Sequence, residues 1–268
     1  MKKGSLVIAF AALFIVCGIK AENPVSEETA RTPMDKQKGF IDEPNISVVQ
    51  FSLAKHESWN ALLKKHVTPA GKVNYKGMKS SLTIIDGYLT HLKDNAPKKD
   101  WSKNEKLAYW INLYNAATVS LIASNYPTSS ITKLSGGKPW DKKFVKSGDK
   151  VYSLNQIENE IVRPGFKDPR IHAALNCAAV SCPNLLNEAF VPNQLNAQLD
   201  QQTKVWVNDA SKNKLQDSKV KVSQIFDWYA DDFKASGGVV AFINQYAKIK
   251  VSGKAKVAYL EYDWSLNE

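Results

Sequence analysis

An α+β domain, rich in helix and carrying a small, mostly antiparallel sheet, is what this sequence predicts, and three observations carry that expectation. Apolar residues recur at helical spacing over several long stretches, a Ser-Gly-Asp turn sits between two apolar flanks, and an extended apolar segment closes the chain. The elements follow in order. Met1, Lys2 and Lys3 precede an apolar run over residues 6–19 that is short for a bilayer span, and Ala21 offers the small residue at which a signal peptide is cut. Residues 1–21 therefore read as a signal peptide, which predicts export to the periplasm or cell envelope and no stable membrane span after cleavage. A lipoprotein reading would anchor the chain through Cys17, but bulky Val16 stands where such sites want a small residue.

Residues 22–50 are polar, carry Pro24, Pro33 and Pro44 and show no apolar period, so they read as a flexible lead-in to one globular domain over residues 51–268. The first helix is predicted over residues 52–67, with Leu53, Trp59, Leu62 and Leu63 as its apolar stripe. A short extended piece follows at 73–75, and Ser80 and Ser81 cap a second helix that runs to about Lys93. Ser102 and Glu105 form a capping box for a third helix, which ends near Asn125 before Pro127. Leu107, Trp110, Ile111, Tyr114, Thr118 and Leu121 recur along it and should face the core. Residues 144–152 read as a hairpin, and Ser153 with Gln156 caps a short helix ended by Pro164 and Gly165. Helices are predicted at 193–209, 222–233 and 239–247, and a strand at 257–262.

Charge narrows the function only a little. Cleavage after Ala21 removes Lys2, Lys3 and Lys20 and no acid, so the formal net charge falls from +10 to +7. The remaining lysines are scattered rather than massed, which describes a solvated surface and gives no reason to expect nucleic acid as a partner. An envelope substrate or protein partner is expected, with no cofactor. Two cysteines survive processing, Cys177 and Cys182, and in an oxidising compartment an even count points to a disulfide.

Chemistry concentrates at residues 168–183, which hold Arg170, His172, Asn176 and both of those cysteines. His172 and Cys177 are five positions apart, so they face opposite sides of a strand and lie about 140° apart on a helix. They meet only if an extended piece over 171–175 breaks near Asn176 and a helical turn starts at Cys177, where the helix dipole would favour thiolate. Four readings stand open: a structural disulfide between Cys177 and Cys182, a Cys177 nucleophile with His172 as base, metal ligation by His172, Cys177 and Cys182, and a redox-active dithiol. The metal reading lacks a fourth ligand, and no metal is expected. Asn112 and Asn115 lie on one side of the third helix and cost stability there unless something compensates them, either a loop held by their amides or a bound ligand. The aromatic and acidic stretches at 225–233 and 259–267 read chiefly as core packing, with a carbohydrate site as the alternative.

Four stretches, 105–117 (EKLAYWINLYNAA), 168–185 (DPRIHAALNCAAVSCPNL), 222–233 (VSQIFDWYADDF) and 259–267 (YLEYDWSLN), occur in order and together resemble the family known as domain of unknown function 547, from about Phe51 to the end. Carried onto this sequence, the family's most characteristic positions are Trp110, Asn112, Tyr114, Asn115, Arg170, His172, Asn176, Cys177, Ser181, Cys182 and Pro183. The resemblance implies an exported bacterial type of member, whereas plant and animal members carry the domain beside coiled-coil, DEP or glutaredoxin-like regions. A further, distant likeness to papain-like or transglutaminase-like folds would have a cysteine open a helix packed on a small sheet, although every histidine here precedes Cys177. The leading functional expectation is a thiol-dependent hydrolase or acyl-transfer enzyme. In it Cys177 is nucleophile, His172 base, Asn176 or Asn112 an oxyanion or orienting group, and Arg170, Asn112 and Asn115 hold substrate. The alternatives are a non-catalytic, disulfide-stabilised binding domain and a thiol-redox accessory protein.

Overall fold

Residues 56–268 are described by a computed structural model; the predicted signal peptide, Cys17, the lead-in and the start of the first predicted helix lie outside the described residues. Helix α1 (Glu57–His66) packs on α2 (Tyr75–Ser80) and α3 (Leu82–Asp94), which in turn pack beside the long helix α4 (Lys103–Ser124). The α4 capping box forms as expected: Ser102 Oγ accepts the Glu105 N–H at 3.2 Å and the Glu105 carboxylate accepts the Ser102 N–H at 2.8 Å. This helix is buried on nearly every side from Leu107 to Val119, so it runs through the middle of the fold instead of lying on it with one apolar face. Burial on that scale is also what brings Asn112 and Asn115 inside.

A hairpin of β1 (Lys143–Ser147) and β2 (Lys150–Ser153) follows, antiparallel as the Ser-Gly-Asp turn predicts. Its capping box at Ser153 and Gln156 opens α5 (Leu154–Gln156), but the chain then widens into a π-helix (Ile157–Val162) before α6 (Arg163–Phe166). The extended piece over 171–175 that a meeting of His172 and Cys177 would require is not formed: Pro169–Ala173 is a 3₁₀ helix, started by Asp168, whose carboxylate accepts the Arg170 N–H at 3.0 Å.

The second half holds α7 (Leu195–Asn208), the strands β3 (Lys214–Leu215) and β4 (Lys219–Val222), α8 (Ile225–Trp228), a 3₁₀ helix (Ala230–Ser236), α9 (Val239–Tyr246) and β5 (Lys256–Tyr259). β3 and β4 pair antiparallel while β5 joins β4 in parallel. Residues 222–233 were expected to be one helix; Val222 ends β4, and only Ile225–Trp228 is α-helical. The Lys-Val-Lys-Val alternation of β4, with both valines buried, is the strand signal that the helical reading passed over.

Two apolar clusters form the core. One surrounds α4, and the other joins Trp206, Phe226, Phe233 and Phe242 to the small sheet. Fully burying a large apolar side chain is worth roughly 1.5–3 kcal/mol, so each cluster is a substantial source of stability. Among the described residues no helix is long and apolar enough to cross a membrane.

Candidate functional site

Between the two clusters lies a cleft of about 390 Å³. The segment at 174–183 forms one wall, and α4 holds that segment in place. Asn115, 2 % exposed, donates through Nδ2 to the Ala174 carbonyl at 2.9 Å and accepts the Asn176 N–H at 2.9 Å. Asn112 does the same to Phe190, accepting its N–H at 3.1 Å and donating to its carbonyl at 2.8 Å. Each buried amide thus pairs with backbone as another peptide would, which compensates its presence in a helix interior. Neither amide is turned to the cleft as a substrate-holding group. Asn176 continues the series: Oδ1 accepts the Ala178 N–H at 2.9 Å and Nδ2 donates to the Pro183 carbonyl at 2.7 Å. Its amide is occupied by its own turn, in which Ala178 takes a left-handed φ of 64°.

Cys177 and Cys182 are joined by a disulfide, with α-carbons 6.1 Å apart, inside the range such bridges require. Cys177 lies in irregular chain and starts no helix, so the thiolate-favouring dipole that sequence geometry called for is missing. Its N–H points at Cys182 Sγ at 2.9 Å, and the Tyr262 hydroxyl donates towards Cys177 Sγ at 3.1 Å and Cys182 Sγ at 3.3 Å. Tyr262 is brought there because the closing residues run alongside this segment: the Val180 N–H donates to Ser265 at 2.8 Å, Ser181 to Asp263 at 3.2 Å, and the Asn267 N–H to Ala178 at 3.2 Å.

His172, 3 % exposed, also lines the cleft, and no hydrogen bond joins it to Cys177 among the described residues. Its Nε2–H donates to Asp232 at 2.8 Å, and Arg163 grips the same carboxylate through Nε at 2.6 Å and Nη2 at 2.9 Å. Burial by itself would push the Asp232 carboxyl up; the hydrogen bonds from His172 and Arg163 outweigh it and hold the group well below the usual carboxylate range. An ionised Asp232 only accepts, so Nε2 carries the imidazole proton. Tyr229 stacks on His172 with centroids 4.3 Å apart and carries the Arg163 guanidinium 4.7 Å from its own ring centre.

The π-helix sets the floor. It carries Glu158, 9 % exposed, into the cleft, where Tyr114 Oη donates to it at 3.1 Å and Tyr229 lines the same space. Burial first, and then the Glu158 charge, push the phenols of Tyr114, Tyr229 and Tyr262 up. Above the floor four rings make a continuous wall: Trp228 stacks on Trp264 at 5.9 Å, Tyr262 lies 4.5 Å from Trp264, and Trp140 meets Trp264 edge-on at 5.3 Å. Trp228 is half exposed.

Residues 98–207 match the model of the family described as Protein of unknown function, DUF547. Over that span the chain is similar to the family. The matched span of the 547 domain holds α4, the π-helix and the disulfide segment, so it includes Asn112, Asn115, Glu158, Arg170, His172, Cys177 and Cys182. Asp232 and the rings of Trp228, Tyr262 and Trp264 lie beyond it, although they complete the cleft. No curated protein and no solved structure gives a match. The expected likeness to papain-like or transglutaminase-like folds therefore gains nothing from comparison, and Cys177 opens no helix.

Arg170, like Asn112 and Asn115, is absent from the cleft lining. Its guanidinium is bound to Asp168 at 2.6 Å, Asp200 at 2.9 Å and Asn196 at 3.0 Å, tying the 3₁₀ helix to α7. Three partners leave it no fork to offer a ligand. Among the described residues no group of three His, Cys, Asp or Glu side chains is placed to hold a metal ion. Sequence reasoning did not single out Glu158, Asp232 as a partner of His172, or Trp140. Only the run Asp-Trp-Tyr-Ala-Asp-Asp-Phe at 227–233, already weighed as a ligand site, carried a signal for any of them.

Proposed function

We propose that this chain is an exported, disulfide-stabilised binding domain of the cell envelope, whose ligand sits in the aromatic cleft and is not chemically changed there. The observation that carries the reading is the cleft itself, of about 390 Å³, walled by Trp140, Trp228, Tyr262 and Trp264 over the Glu158 carboxylate. Its volume falls within the roughly 300–1,000 Å³ of small-molecule sites. A thiol hydrolase needs a free thiolate beside a base. Here Cys177 is bonded to Cys182, the hydrogen-bond partner of its sulfur is a phenol, and no hydrogen bond joins it to His172 among the described residues. Export rests on the Met1-Lys2-Lys3 start and the apolar run that follows.

One observation favours a second reading: Cys177, Cys182 and His172 line the same cleft, so reduction would place two thiols and an Asp-supported imidazole in it. Intact mass separates the two. The mature protein treated with iodoacetamide gains no label before reduction and two labels after it. Changing both cysteines to alanine lowers stability by about 2 kcal/mol, the chain-entropy value for so short a loop, and Tm by about 5 °C. Labelling of the native protein without reductant would count against a binding domain and for the thiol enzyme.

A further inference from the structure

The cleft's charge is at odds with that of the chain. The sequence carries 36 basic side chains against 26 acidic ones, yet no lysine or arginine lines the cleft, whereas Glu158 stands at its floor and Asp141 at its rim. The polar groups beside these carboxylates already face them. Tyr114 donates to Glu158 at 3.1 Å, and Asn155 Nδ2 donates to Asp141 at 3.1 Å. What the polar end presents to an incoming molecule is therefore negative charge. Beside His172, the disulfide, Leu175 and Ile225, the rest of the lining is chiefly indole and phenol rings, whose faces are negative too. Burial first, and then the carboxylate charge of Glu158, push the phenols of Tyr114, Tyr229 and Tyr262 up.

An anion is repelled by such a site, and a neutral sugar uses the rings without using the charge. A cationic nitrogen uses both, through attraction to the carboxylate in a partly dry cleft and through the ring faces. We propose that the ligand of this cleft is an organic ammonium compound, its cationic nitrogen held between Glu158 and the wall of Trp140, Trp228, Tyr262 and Trp264. The proposal rests on the binding-domain reading and names its ligand class. Aromatic rings suit a substituted ammonium better than a bare one, because methyl groups on nitrogen pack on ring faces where water cannot follow.

The test titrates the full mature protein with choline and with its uncharged isostere 3,3-dimethylbutan-1-ol, following tryptophan fluorescence and heat at low salt. Choline is expected to bind at least tenfold more tightly than the isostere, and its affinity to fall as sodium chloride is added. Glu158→Gln, which keeps shape and changes charge, should remove at least tenfold of the choline affinity and leave the isostere unaffected. Should that variant fail to fold, Trp228→Ala serves instead: its side chain is half exposed, so Tm holds while choline affinity falls several-fold. Equal affinity for choline and the isostere, or no binding of choline, overturns the proposal. If a neutral probe such as N-acetylglucosamine binds instead, the cation class fails and the binding domain stands. If no probe binds and native Cys177 takes iodoacetamide without reductant, both fail.

Discussion

Asp232→Ala is expected to lower the unfolding free energy by about 3 kcal/mol, with Tm falling by roughly 10 °C, because it leaves two donors without their acceptor. The Asp232 carboxylate takes the His172 Nε2–H at 2.8 Å and two Arg163 N–H groups at 2.6 and 2.9 Å, with both acidic and guanidinium side chains about one quarter exposed. Removing one partner of a fully buried ion pair costs about 3–5 kcal/mol, and the partial exposure here places the value at the lower end. The loss should be local as well as global. His172 keeps its stack on Tyr229 but loses the bond that orients it, so the cleft lining loosens around Tyr229. Chemical denaturation of the two proteins measures the difference. A change under 1 kcal/mol would mean that the triad contributes geometry and little stability.

The same group fixes a pH dependence. The folded-state pKa of Asp232 lies below its ordinary value of 3.8, so its stabilising contribution is complete above that value and is lost as pH falls towards the folded pKa. Against Asp232→Asn, the stability difference should be flat at neutral and mildly acidic pH and should shrink only below 3.8. Arg163 is held up in the opposite sense, first by its hydrogen bond to Asp232, and stays charged throughout.

How much of this was legible in the sequence depends on the range of the interaction. Features set by residues a few positions apart were readable: both capping boxes, the β1–β2 hairpin, and the spans of α4, α7 and α9. Features set by distant partners were not. The bulge of the π-helix at Ile157–Val162 follows a sound capping box, and nothing in the sequence 157–162 marks the extra residue that swings Glu158 inward. Asp232 and His172 are 60 positions apart, and Tyr262 is 85 from Cys177, so no spacing rule joins them. The aromatic stretches divide by burial. Phe226 and Phe233 are core, as expected, while Trp228, Tyr262 and Trp264 form the cleft wall, because their segments sit where the two clusters meet. Asn112 and Asn115 were correctly seen to need compensation. Of the two forms it could take, a held loop and a bound ligand, the structure shows the loop.

Those asparagines give the other large effect. Asn115→Ala strips the Ala174 carbonyl and the Asn176 N–H of their side-chain partner in a region where water does not reach, and each buried backbone group so exposed costs about 1–3 kcal/mol. The expected total is about 3 kcal/mol, since the chain can relax to recover part of it. Asn115→Asp separates the two bonds: the carboxylate still accepts from Asn176 but faces the Ala174 carbonyl with no donor and an uncompensated buried charge, so it should be at least as damaging as alanine. Stability is only half of the readout. Asn115 positions Asn176, Asn176 holds the Ala178 N–H and the Pro183 carbonyl, and that turn carries both cysteines. Loosening it should expose the Cys177–Cys182 bond, so dithiothreitol should reduce it several-fold faster in Asn115→Ala under conditions where the protein remains folded. Asn112→Ala, which frees Phe190 and not the cysteine turn, is the control: a similar fall in Tm without faster reduction. If both variants speed reduction equally, the disulfide answers to overall stability, and α4 has no particular hold on the cleft wall.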